Sequence, residues 1–130
     1  MRVREAMSSQ VLVVGPEHTL RQAARMMSER RVGSAVVVDP ESHGIGIMTE
    51  RDVLNAIGAG LDCDVERTSA HLTWDVVYAG PDWTLEEAAA SMVRGGFRHL
   101  VVLADAEVLG VISVRDIVRV WAGQRAAASR

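Results

Sequence analysis

The residues best suited to chemistry lie in two matched heptapeptides. They are Gly46-Ile47-Met48-Thr49-Glu50-Arg51-Asp52 and Gly110-Val111-Ile112-Ser113-Val114-Arg115-Asp116. Both read Gly-apolar-apolar-Thr/Ser-x-Arg-Asp. Asp52 and Asp116 can each accept two hydrogen bonds from a vicinal diol such as a ribose presents. Thr49 and Ser113 can donate to a phosphate oxygen. Gly46 and Gly110 carry no side chain and so allow a ligand or another backbone to come close. If the hydroxyl residue opens a helix, the free N–H groups and the positive dipole end add an anion site. A plainer reading fits the same spacing. Thr/Ser-x-x-Asp is close to a capping box, and Asp in a first turn suits the dipole. Two copies do not decide between these readings, because both copies must start a helix.

The elements that position these residues also occur twice. Gly15-Pro16-Glu17-His18-Thr19-Leu20 returns as Gly80-Pro81-Asp82-Trp83-Thr84-Leu85, an offset of 65. The shorter second loop reduces the offset to 64 at the heptapeptides, and 12 of the 34 pairs over 15–39 and 46–54 are identical. A repeat of this length is a supersecondary unit that needs its copy to bury its apolar face. Val11–Val14 and Val76–Ala79 read as short strands stopped by Gly-Pro. Thr19 with Gln22 and Thr84 with Glu87 fit capping boxes, and Leu20, Ala23, Ala24 and Met27 make a helical stripe that Leu85, Ala88, Ala89 and Met92 repeat. Hairpins follow, with strands near 35–38 and 45–48, and near 100–103 and 108–112. A second helix starts at Thr49 and at Ser113. Each unit is therefore β-α-β-β-α, with repeat boundaries at 1–62 and 63–130 and a linker over 58–71.

Composition narrows the function classes. With 130 residues and 48% apolar content the chain can build one shared core. The net charge is -3 and no basic block occurs, which argues against nucleic acid. All 14 basic residues are arginine, so every permanent cation is a bidentate anion binder. Cys63, in the linker, is the sole cysteine, and no disulfide within the chain is possible. That composition, with no apolar leader and no membrane-length run, leads us to expect a cytoplasmic protein. His18, His43, His71 and Cys63 have no metal-ligand spacing. No catalytic constellation is visible, so the chain is expected not to be an enzyme and to need no cofactor.

The duplicated unit resembles a tandem pair of CBS (cystathionine-β-synthase) domains, the arrangement called a Bateman module, in stand-alone form. The likeness covers about residues 5–122. It is carried by the Gly-Pro-x-x-Thr-Leu-x-x-Ala-Ala segments at 15–24 and 80–89, by Arg98-His99-Leu100-Val101-Val102, and by the two Gly-x-x-Thr/Ser-x-x-Asp segments. The resemblance implies an α/β fold with two β-α-β-β-α repeats packed about a pseudo-twofold axis. It also implies inter-repeat clefts for an adenosine-containing ligand of the AMP, ATP or S-adenosylmethionine type. Asp52 and Asp116 would hold ribose, with Thr49 and Ser113 facing ribose or phosphate and Arg115 beside them. The base would lie against Val11, Leu12, Val13, Ile47 and Met48 in one half. In the other it would meet Val76, Val77, Tyr78, Val111 and Ile112.

Arg98 and His99 precede a strand where such modules place phosphate-binding side chains. Their counterparts are Gly33 and Ser34, which carry no charge. The two clefts are therefore expected to be unequal, or the cationic end to serve one shared region. The resemblance further implies a homodimer through the second helices (Val53, Leu54, Ile57; Ile117, Val118, Trp121) and a separate effector protein. The alternative is an interaction scaffold whose clefts are vestigial and whose Asp residues only cap helices.

Overall fold

The computed structural model describes residues 1–42, 44–74 and 76–128, with side chains described as far as residue 124. Its elements run α1 (Val3–Ala6), β1 (Val13–Val14), α2 (Leu20–Arg30), β2 (Ser34–Val38), β3 (Ile45–Thr49) and α3 (Glu50–Gly58). A 3-10 turn at Thr68–Ala70 leads to β4 (Tyr78–Ala79), α4 (Leu85–Gly95), β5 (His99–Ala104), β6 (Glu107–Ser113) and α5 (Val114–Ala128). The expected β-α-β-β-α order thus occurs twice. The first strands are shorter than the apolar runs suggested, two residues each.

The chain divides into two compact units. The first is Val11–Val76; the second joins Met1–Gln10 to Val77–Arg130. In the first unit the sheet order is β1-β2-β3, and in the second β4-β5-β6. In each, the outer pair is parallel and the hairpin antiparallel. Strand alternation sends one face of each sheet into a core. Leu12, Val14, Ala35, Val37 and Met48 pack with Leu20, Ala23 and Met27 of α2. Ala79, Leu100, Val102 and Ile112 pack with Leu85, Ala88 and Met92 of α4. The helix caps form as their sequences predict: Thr19 accepts from the Gln22 N–H at 3.2 Å and Thr84 from the Glu87 N–H at 3.1 Å.

The boundary expected at 62/63 separates sequence repeats but not the compact units. Residues 1–8 pack on the second repeat, and 66–73 pack on the first by the same bonds. The Leu20 N–H donates to the Glu66 carbonyl, and the Leu85 N–H to the Met1 carbonyl. Thr19 bridges Arg67 as Thr84 bridges Arg2, and Ile47 bridges Thr73 as Val111 bridges Ser8. The closing residues Glu66, Arg67 and Thr73 each stand 65 positions after Met1, Arg2 and Ser8, so the repeat extends to segments that share only the arginine of Arg2 and Arg67. The stretch 58–71 is therefore not merely a linker. Thr68 is fully buried, and its hydroxyl donates to the Gly15 carbonyl at 2.8 Å. Cys63 is likewise buried in the first unit's core.

Candidate functional site

Each sheet has a second face, turned away from its unit's core. In the first unit, register aligns Val13, Val36 and Ile47 in one row on that face, with Thr73 bridging Ile47. In the second unit the same row is Tyr78, Val101 and Val111, with Ser8 bridging Val111. Val36 and Val101 are each 1% exposed, but the row opens at Val13, 54% exposed, and at Tyr78, 39% exposed. The next row along the hairpin pairs Ser34 with Thr49 and His99 with Ser113. An apolar strip thus runs into a polar end at the strand-to-helix junction of each unit.

At that junction both heptapeptides form capping boxes. Asp52 Oδ2 accepts from the Thr49 N–H at 2.7 Å and from the Thr49 hydroxyl at 3.3 Å. Asp116 Oδ2 accepts from the Ser113 N–H at 2.8 Å and from the Ser113 hydroxyl at 3.0 Å. The Asp116 N–H returns a bond to the Ser113 hydroxyl at 3.2 Å. The Asp116 carboxylate is buried, and its other oxygen pairs with Arg119 at 3.1 Å. Asp52 is half-buried, and Asn55 stands at the position of Arg119. Capping and diol recognition are compatible, since a carboxylate has about four lone-pair directions and the box uses one oxygen.

The structure sorts the expected site residues by face. Val13, Ile47 and Thr49 share the second face of the first sheet, and Tyr78, His99, Val111 and Ser113 share that of the second. Met48 and Ile112 are corrections. Both have 0% exposure in their unit's own core, because they alternate with Ile47 and Val111 and point to the opposite side. Leu12 is buried and Val77 packs partly buried against the second core, for the same reason.

Gly46 and Gly110 are also core-side. A Cβ at Gly46 would strike the Leu72 side chain and lie 3.0 Å from the Thr73 carbonyl oxygen. One at Gly110 would strike the Ser8 carbonyl oxygen and lie 3.0 Å from Met7 sulfur. The glycines make room for neighbouring backbone, which was one of the two partners their spacing allowed.

Arg98 is exposed, and its carbonyl accepts from the Val114 N–H at 2.9 Å; Gly33 and the Glu50 N–H make the equivalent bond at 3.0 Å. The Glu50 carboxylate lies 3.5 Å from where a Gly33 Cβ would stand, filling the space of the missing side chain. Sequence reasoning passed over Glu50. The signal was the glycine opposite it, read only as an absent charge. Glu50 also lines a cavity of about 290 Å³ between α2 and α3, with Ala24, Met27, Ser28, Val32 and Val53. Arg115 is exposed beside Asp116.

The second-helix residues split. Val53 and Ile117 turn inward, whereas Leu54 and Ile57 stay 60% and 59% exposed, and Val118 and Trp121 54% and 42%. Among the described residues no group of three or more His, Cys, Asp or Glu is placed to hold a metal ion. Among them no helix is long and apolar enough to cross a membrane.

The CBS domain family model matches the chain twice, over residues 3–59 and 69–123. An uncharacterized 17.7 kDa protein of Acidianus ambivalens is 34% identical over 120 residues, covering 91% of this chain and 71% of that one. The chain spans 41% to 71% of the length of the first three curated relatives that it matches. A putative signal-transduction protein with CBS domains from Burkholderia ambifaria aligns at TM-score 0.85 and 25% identity, over 95% of both chains. A CBS domain protein from Pyrobaculum aerophilum, solved in complex with AMP, aligns at TM-score 0.79 and 26% identity. That alignment covers 95% of this chain and 99% of the other.

Proposed function

The chain belongs to the CBS domain family as a tandem pair, and from that premise we propose that it is a regulatory module for an adenosine-containing ligand. The ligand is of the AMP, ATP or S-adenosylmethionine type. The observation that carries this reading is the second face of each sheet: an apolar row opening at Val13 or Tyr78 and ending at a hydroxyl-carboxylate pair on a helix start. A base needs the apolar row, a ribose diol needs a carboxylate, and a phosphate needs the helix N–H groups. The AMP complex of the Pyrobaculum aerophilum relative supports the same ligand class.

Binding acts on conformation by no more than the ligand's differential affinity for two states. The response passes to a separate effector protein in the cytoplasm, and the module itself catalyses nothing. The exposed apolar pairs on α3 and α5 suit a homodimer. Calorimetric titration with AMP, ATP and S-adenosylmethionine tests the reading. Saturable heat is expected with at least one ligand. Asp52→Asn and Asp116→Asn, which keep a cap acceptor but lose the charge, should weaken it. Full binding in the double variant would remove both carboxylates from the site.

A second reading rests on one specific observation. Every bond recorded above for Asp52 and Asp116 is a cap or an intra-helix ion pair. An interaction scaffold with helix-capping Asp residues fits that as well, and it expects no heat with any of the three ligands.

A further inference from the structure

The turn that leads into the first long helix of each unit follows one plan with one replacement. In the first unit the His18 N–H donates to the Gly15 carbonyl at 3.2 Å, and in the second the Trp83 N–H donates to the Gly80 carbonyl at 3.2 Å. The first unit adds a bond back, from the Gly15 N–H to His18 Nδ1 at 2.8 Å. Trp83 cannot accept such a bond, because the indole nitrogen is a donor only. Its ring instead lies 3.0 Å from where a Gly80 Cβ would stand. A backbone N–H always donates, so His18 Nδ1 accepts only while it carries no proton. The closing segment is fastened to this same turn. The Thr68 N–H donates to the His18 carbonyl at 2.9 Å, the buried Thr68 hydroxyl to the Gly15 carbonyl at 2.8 Å, and the Ser69 N–H to the Pro16 carbonyl at 3.3 Å. At its far end Thr73 exchanges two backbone bonds with Ile47 of β3, at 2.9 and 3.0 Å.

We infer that His18 is a proton-operated release for the first unit's closing segment, and that the second unit's turn has no counterpart. Imidazole is the side chain that changes charge between about pH 5 and 8. A proton on Nδ1 sets two donors face to face, the ring and the Gly15 N–H. The ring must then move away, and the part-buried Gly15 N–H loses its partner. The carbonyls of Gly15 and His18 belong to the same turn, so the Thr68 bonds loosen with it. The charged groups that flank the turn and line the closing segment are paired with one another. Arg67 bonds the Glu17 carbonyl and lies 3.9 Å from the Glu17 carboxylate, and Arg21 of α2 pairs with Asp64, with Arg25 a turn further on. His71 Nε2 meets Glu66 Oε1 at 2.9 Å. Acid turns that last contact into an ion pair, so it holds the segment and opposes the release. In the second unit Trp83 and Ala6 stand at the positions of His18 and His71, and neither titrates.

Amide hydrogen exchange of the full chain, at about pH 7.5 and about pH 5.5 and corrected for intrinsic rates, tests the inference. Protection of the Thr68 and Ser69 amides is expected to fall about threefold or more on acidification, the weight of one net hydrogen bond. The Val3 and Arg4 amides, which make the matching bonds to Trp83 and Pro81, are expected to keep theirs. His18→Asn offers the Gly15 N–H an amide oxygen that does not titrate, so it is expected to abolish the fall. His71→Gln removes the opposing ion pair and is expected to deepen it. In the unaltered chain, two-bond proton–nitrogen correlation of the imidazole is expected to show Nδ1 without a proton at about pH 7.5. A proton on Nδ1 there would overturn the inference. So would unchanged protection at Thr68 and Ser69, an equal fall in His18→Asn, or an equal fall at Val3 and Arg4. A fall that vanishes in His71→Gln would overturn it too, by moving the sensor to His71.

Discussion

The two units follow one hydrogen-bond plan but fill it with different chemistry. Residues 66–73 close the first unit and 1–8 the second, through the same bridges to the helix cap and to the last strand. The first closing segment buries Thr68, whose hydroxyl donates to the Gly15 carbonyl. The second packs by apolar contacts, chiefly the fully buried Val3 and the buried Ala6, where the first has the hydroxyl bond of Thr68. Equivalent architecture therefore need not mean equivalent stability. The same holds at the junctions, where the Asp116 box is buried and adds a pair with Arg119, whereas the Asp52 box is half-buried.

Removing residues 1–8 should give the largest effect and would break the symmetry outright. It deletes Val3 and Ala6 from the second core and bares the β6 edge at Val111. Removing a single buried methyl group, as in Ile→Val, typically costs about 0.5–1.5 kcal/mol, and deleting Val3 and Ala6 together should far exceed that. Hydrogen exchange should show protection falling in β5, β6 and α4 well before β2 and β3. Equal loss in both sheets would mean that the two units share one stability.

Glycine substitutions sharpen the same contrast. A methyl at Gly110 meets the Ser8 backbone oxygen, which cannot rotate away. A methyl at Gly46 meets first the end of the Leu72 side chain, which can. Overpacking costs about 1–3 kcal/mol, with rigid backbone contacts at the upper end. Gly110→Ala should therefore lower the urea midpoint more than Gly46→Ala. The reverse order would show that the 1–8 segment yields more easily than 66–73.

Much of this plan was legible in the sequence. The caps at Thr19 and Thr84, the hairpins and the two heptapeptides carry type-specific signals over short range. The closing segments do not, because Val3 and Thr68 fill the same buried position by different means. Val3 is apolar core, whereas Thr68 satisfies its hydroxyl on the Gly15 carbonyl. Only a shared fold makes them equivalent, so residue identity could not reveal it. The face of Met48 and Ile112 was legible by strand alternation, since Ile47 and Val111 already held the other side. Expecting a ligand against every apolar residue after the motif glycine obscured it. Glu50 was invisible because its meaning depends on Gly33 across the junction, a pair that sequence order does not bring together.

The capping carboxylates should differ by a smaller margin. Asp116→Ala removes a cap from a buried site and leaves Arg119 unpaired, whereas Asp52→Ala removes a cap from a half-buried one. Caps are worth about 0.5–2 kcal/mol, so Asp116→Ala should sit near the top of that range and Asp52→Ala near the bottom. Thermal unfolding of the two variants compares them directly, and equal shifts would mean that burial at Asp116 adds nothing.

Arg119 should give the smallest stability change and the most direct view of the site. Its side chain is 66% exposed, so its pair with Asp116 contributes no more than about 0.5 kcal/mol. Yet it holds the Asp116 oxygen that the capping box leaves over, the one a ribose diol needs. The first unit has Asn55 there. Arg119→Asn should therefore leave the melting temperature nearly unchanged while strengthening adenosine binding at the second unit by a few-fold. The change makes the second junction less positive, so AMP should gain less than adenosine. A loss of adenosine affinity would instead make Arg119 part of the ligand's own contacts, and the pair with Asp116 a resting position that binding keeps.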